Sequence, residues 1–205
     1  MENEDYAGEF HSGQIQNNRP EALQTWKATS RNVETIRRLA NSMGGNPEIS
    51  IMGGRAEASV ITEKTRIKVR LHGQDSIRRE MLLWKHGKVI HHCDGRSFLS
   101  PDEKFGESCG CPPDLARQKQ EAKLGTGPQP VTSISFQLED VPDLGMFSLR
   151  SNSWDLYESA VTTQSRIEEK KGTSPGELSL EFRKFRFRNT LQAIQIRPIV
   201  KLVNQ

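Results

Sequence analysis

The chain of 205 residues is short of most features that place a sequence quickly. It has no apolar run near the ~20 residues that cross a bilayer, and its first residues, MENEDYAGEF, carry neither a basic start nor a hydrophobic stretch. The expectation is a soluble cytoplasmic protein with no membrane role. Aromatic residues make up 6% of the chain and hydrophobic residues 34%, with a mean hydropathy of -0.68, which implies a modest core among polar loops. A net charge of +3 is too small for binding nucleic acid by bulk electrostatics. There is no phosphate loop, because Gly125-Thr126-Gly127 lacks the Lys-Ser/Thr that would follow, and there is no His-Glu-x-x-His pair. Cysteines number three, and an odd count in one cluster fits a metal site or free thiols better than a disulfide framework.

What is present is periodicity. Residues 1–19 are polar and glycine-bearing, with Tyr6, Phe10 and Ile15 as scattered anchors, and are expected to form a flexible arm. Residues 20–205 are expected to form a single α+β domain. Leu23 to Ala28 reads as a strand. Val33, Ile36, Leu39, Ala40 and Met43 recur at helical spacing, with Ser30 or Asn32 as the cap and Gly44-Gly45 as the stop. From Glu48 to Leu71 the period is two, as in strands with one buried face. Met81–Trp84 and Val89–Cys93 form a predicted hairpin about His86-Gly87. Further strands cover Ile134–Leu138, Met146–Leu149, Leu178–Phe182 and Leu191–Val203, with Pro198 at a bulge or edge. A second helix starts after Ser151 or Ser153 and carries Trp154, Tyr157 and Val161 on its buried stripe. The sum is an α+β fold: a mostly antiparallel sheet with two packed helices, interrupted at residues 91–130 by a Cys-rich loop insert.

That insert holds every cysteine: Cys93, Cys109 and Cys111. Zinc prefers sulfur and nitrogen donors and closes a tetrahedron with four of them. Cys-Gly-Cys brings two sulfurs close, and Cys93 can meet them from a strand end. On an extended strand His91 points to the same face as Cys93 and His92 to the opposite one, so His91 is the fourth candidate by alternation. The cofactor predicted is a structural zinc, weighed against a set of reduced thiols. Catalytic chemistry has thin support. Asp94, Asp102, Glu103 and Glu107 lie nearby without a hydrolase pattern, and His92 and Cys93 face opposite ways as strand neighbours. Near the carboxy terminus, Arg183, Lys184, Arg186 and Arg188 interleave with Phe182, Phe185 and Phe187. Such a strand can hold phosphates and stack bases, or be an amphipathic strand with a wet basic face.

The succession GEFHSGQIQNNRPEALQTWKATS, CDG, CGCPPDLARQKQEAKLGTGPQP and LEDVPDLGMFSLRSNSW resembles the recombination directionality factors of actinophage large serine integrases, from Gly8 to the final strands. In that family the insert commonly looks like a four-cysteine site. Here Pro128 stands in the segment where the last cysteine would be, so Cys93, Cys109 and Cys111 carry over and His91 or His92 must complete the shell. The resemblance implies an accessory factor, not an enzyme. Such a factor binds a serine integrase on attachment-site DNA, activates attL with attR excision, and inhibits attP with attB integration, without sequence-specific DNA binding of its own. Candidate partner-binding residues are Phe10 and Arg19 in the arm, and Phe185, Arg186, Phe187 and Arg188 in the basic strand. The alternative is a phage single-stranded nucleic-acid-binding or metal-dependent nuclease-like protein.

Overall fold

A computed structural model describes residues 6–52, 55–170, 172–187 and 191–203. Nine strands form one path across a large sheet. In spatial order they are β12 (Leu191–Leu202), β11 (Thr173–Phe187), β5 (Arg66–His72), β9 (Gln129–Leu138), β10 (Met146–Ser151), β1 (Gly8–Gln16), β2 (Arg19–Ser30), β4 (Arg55–Ile61) and β3 (Pro47–Met52). The pairing is antiparallel throughout, apart from β1 on β10. A branch leaves this path at β9. Its last residues pair with β5, while Gln129 to Ile134 pair with β6 (Ile77–Lys85), which carries β7 (Lys88–Cys93) and then β8 (Phe98–Ser100).

The sheet is curled. Trp26 on β2 donates its amide to the Lys64 carbonyl at 3.3 Å and its indole N–H to the Thr65 carbonyl at 3.2 Å, and Leu180 on β11 donates to the same Thr65 carbonyl at 2.8 Å. The segment before β5 thus ties two strands that are far apart in sheet order. Inside the curl, the inward residues of each alternating strand meet α1 (Val33–Met43) and α3 (Trp154–Lys170) in one core. Its largest buried side chains include Trp26, Phe10, Phe136 and Phe147. The Phe10 ring meets those of Phe136 and Phe147 edge-on, with centroids 5.6 and 5.5 Å away.

Local signals explain the helix ends. Asn32 accepts the Glu34 amide at 2.9 Å, and Gly44, at φ 77°, closes α1 on the Ala40 carbonyl. α3 starts on Ser153 and also seals a sheet edge: Ser159 Oγ accepts the Val200 amide at 3.1 Å, and Thr163 donates to the Val200 carbonyl at 3.0 Å. The edge strand so covered holds Pro198, where the missing N–H costs no ladder bond.

Two expectations are corrected. The supposed flexible arm at residues 1–19 contains β1, an inner strand paired with β10 and β2, so residues 8–16 belong to the sheet. Its alternation is weak in sequence because Phe10 alone supplies most of its buried apolar surface. The insert is also more ordered than a loop. It contains β8 and a third helix, α2 (Leu115–Leu124), capped by Asp114 at the Ala116 and Arg117 amides and ended by Gly125 in the left-handed region. No helix among the described residues is long and apolar enough to cross a membrane.

Candidate metal centre

The β6–β7 hairpin builds one wall of the site. His86 and Gly87 turn it with φ of 50° and 75°, the left-handed pair that matches strand twist. Register then sets Met81 opposite Cys93 and Leu83 opposite His91, so that His91 and Cys93 project toward α3 and the insert. The other wall is the Cys109-Gly110-Cys111 turn, in which Gly110 has φ of 75°, a conformation that other residues resist. The Cys109 amide bonds the Arg96 carbonyl at 2.9 Å, which seats this turn against the chain leaving β7.

These elements bring His91, Cys93, Cys109 and Cys111 together, with one ligand atom from each lying within 4.8 Å of all the others. Cys93 Sγ is 3.7 Å from Cys111 Sγ, and Cys111 Sγ is 3.5 Å from His91 Nε2. Bonds of about 2.3 Å to sulfur and about 2.0–2.1 Å to nitrogen place two sulfurs about 3.8 Å apart, and a sulfur and a nitrogen about 3.5 Å apart, on a regular tetrahedron. The donor set and these edges fit a four-coordinate metal ion of closed, structural type. His92 lies outside this cluster. Its Nδ1 lies 3.0 Å from Ser100 Oγ and its buried Nε2 is 3.4 Å from Glu80 Oε1, an acid that also pairs with Arg78.

Burial sets the electrostatics. It pushes the Cys93 thiol far up, beyond the lowering from the Gly95 amide that its sulfur accepts at 3.3 Å, and it pushes Cys111 up to about 11. Burial likewise lowers His91, helped by His92 and Lys104, which favours the neutral imidazole that a metal requires. Packed behind the sulfurs are Met81 and Tyr157, with Phe98, Leu115 and Trp154 at the margin. The Tyr157 hydroxyl donates to the Asp94 carbonyl at 3.3 Å, and Arg79 lies over its ring. Sequence reasoning assigned Tyr157 to the core and missed that it anchors the insert, because its partner is a backbone carbonyl far away in the chain.

The carboxylates weighed as metal ligands lie outside this group. Asp94 accepts the Arg96 and Ser97 amides at 2.8 and 2.7 Å, and Asp102, Glu103 and Glu107 are exposed. Of the partner-binding candidates, Phe10 is removed as a correction: it is 0% exposed and belongs to the core. Arg19 is exposed at the start of β2, beside Gln16, Asn17 and Glu21. The side chains of Phe185, Arg186 and Phe187, and all of Arg188, lie outside the described residues, while Arg183 and Lys184 next to them are exposed.

Comparison with known proteins adds one finding. A family model described as Gp3-like, recombination directionality factor-like, matches residues 7–202. No solved structure matches the chain.

Proposed function

The chain belongs to the Gp3-like, recombination directionality factor-like family, and from that premise we propose that it is the accessory factor that sets the direction of a large serine integrase. It binds the integrase on attachment-site DNA, promotes attL with attR excision and suppresses attP with attB integration. The thermodynamic content is a population shift: the factor binds the excision-competent arrangement of integrase subunits better than the inhibited one. The integrase supplies the nucleophile, so this chain is no enzyme and needs no sequence-specific DNA contact.

The observation that carries the reading is the family match across residues 7–202. The character of the cluster supports it. A set of one imidazole and three sulfurs is a closed shell with no position for substrate or water, which suits a brace better than a nuclease centre. The ion it would hold is zinc, through His91, Cys93, Cys109 and Cys111, and what it supplies when bound is a cross-link. The test is recombination in vitro with purified integrase, attL and attR or attP and attB substrates, and this protein added or withheld. Excision that depends on the protein, with integration suppressed, is the expected result. Retention of naked duplex of any sequence at physiological salt, with no response of either reaction, would refute it.

A further inference from the structure

The outermost turn of the insert, residues 101–107, contributes neither a metal ligand nor a core residue, yet it is held firmly in place. The amides of Lys104, Phe105 and Glu107 donate to the carbonyls of Pro101, Asp102 and Lys104 at 2.9, 3.2 and 3.0 Å. Gly106 donates to Phe98 at 3.0 Å and Phe98 to Glu107 at 2.9 Å, which ties both limbs to β8. Two residues further on, Cys109 enters the metal cluster. At the tip of this fixed turn Phe105 is 69% exposed. The ring is costly to leave in water, and among the described residues it makes no aromatic contact and joins neither buried cluster.

Its surroundings indicate what covers it. Asp102, Glu103 and Glu107 are exposed carboxylates of the same turn, and the cation within residues 101–107, Lys104, is folded back over the Phe98 ring at 5.4 Å. An aromatic anchor on a preorganised backbone, ringed by charge, has the form of an interface hot spot, because little ordering entropy remains to be lost on binding. The carboxylates repel phosphate, so the occupant is a protein surface and not nucleic acid.

We propose that the turn at residues 101–107 is a docking knuckle. Phe105 enters an apolar recess on a cationic protein surface, with Asp102, Glu103 and Glu107 facing that surface's basic residues. The inference rests on the proposed function, which makes that surface part of the integrase. The metal centre then acts as the brace that holds the knuckle ready.

Binding of the full-length chain to integrase on attachment-site DNA tests it. Wild type is compared with Phe105→Ala and with the triple variant Asp102→Asn, Glu103→Gln, Glu107→Gln. Phe105→Ala is expected to weaken binding about tenfold or more, with metal content and melting temperature unchanged because the ring is exposed. The triple variant is expected to slow association and flatten its salt dependence. If wild type binds and Phe105→Ala binds within about twofold of it, the knuckle is not the interface and the inference falls alone. If wild type does not bind integrase at all, the proposed function falls and takes the inference with it.

Discussion

Replacing Cys109 by Ser removes one of the four candidate ligands while leaving a side chain of similar size. A metal held by His91, Cys93, Cys109 and Cys111 would join the two walls of the cluster, and so close the loop from residue 93 to residue 109. Closing a loop of ~15 residues removes ~3 kcal/mol of freedom from the unfolded chain in the entropy account of cross-links. That is a large share of the ~5–15 kcal/mol that holds an ordinary domain together. For a chain of this size it corresponds to roughly 6–12 °C in melting temperature. The assay is a thermal melt of wild type and Cys109→Ser, each with and without a chelator, alongside metal content by mass spectrometry. Wild type should hold one zinc per chain and lose stability on chelation, whereas Cys109→Ser should start lower and not respond. A metal-free wild type whose melt ignores both the chelator and added zinc would refute the tetrahedral argument, whatever the distances.

Phe10→Ala should cost about 3–5 kcal/mol in chemical denaturation, since it empties a site between the Phe136 and Phe147 rings; an unchanged midpoint would return Phe10 to the surface role first expected of it. His11, which lies 3.0 Å from Thr29 Oγ1, has its pKa lowered chiefly by burial. The unfolded chain therefore takes up a proton before the folded one, so the stability linked to His11 is complete above the ordinary histidine value of about 6.5 and is lost as pH falls through the folded value. His11→Gln should flatten that part of the stability profile, and a profile as steep as that of wild type would assign the dependence elsewhere.

Much of the fold can be read from the sequence, for reasons specific to each element. α1 is visible because both caps are local: Asn32 and Gly44 act within one turn of the residues they satisfy. β5 is visible because Ile67, Val69 and Leu71 alternate with Arg66, Lys68 and Arg70, as the observed burial does. The same alternation chooses His91 over His92, since both histidines share a strand with Cys93 and only one can share its face. β1 is obscure because an inner strand needs only one face to be apolar, and here glycine and histidine occupy positions where a β-branched residue would have signalled it. α2 is obscure for the opposite reason. LARQKQEAKL has almost no apolar stripe, and its evidence lies wholly in its caps, Asp114 and Gly125, which mark a helix only when read as a pair.

The two hydrophobic clusters differ in what they can hold. The main one draws on β1, β2, β4, β5, β6, β9, β10, β11, β12, α1 and α3, and closes on itself through Trp26 and Thr65. The second has Met81, Cys93, Cys109 and Tyr157 at its centre, and two of those four belong to the group that could hold a metal. Without a metal, its order depends on few apolar contacts, the Tyr157 bond to Asp94 and the turns of the insert itself. Chelation should therefore loosen the insert before the barrel-like body, and the two should separate in amide exchange. Protection at Cys109 and Gly106, whose amides bond Arg96 and Phe98, should fall first, while Val200, bonded to Ser159, should keep its protection. Simultaneous loss at all three amides would mean that insert and body unfold as one unit, and that the metal stabilises the whole fold rather than holding the knuckle.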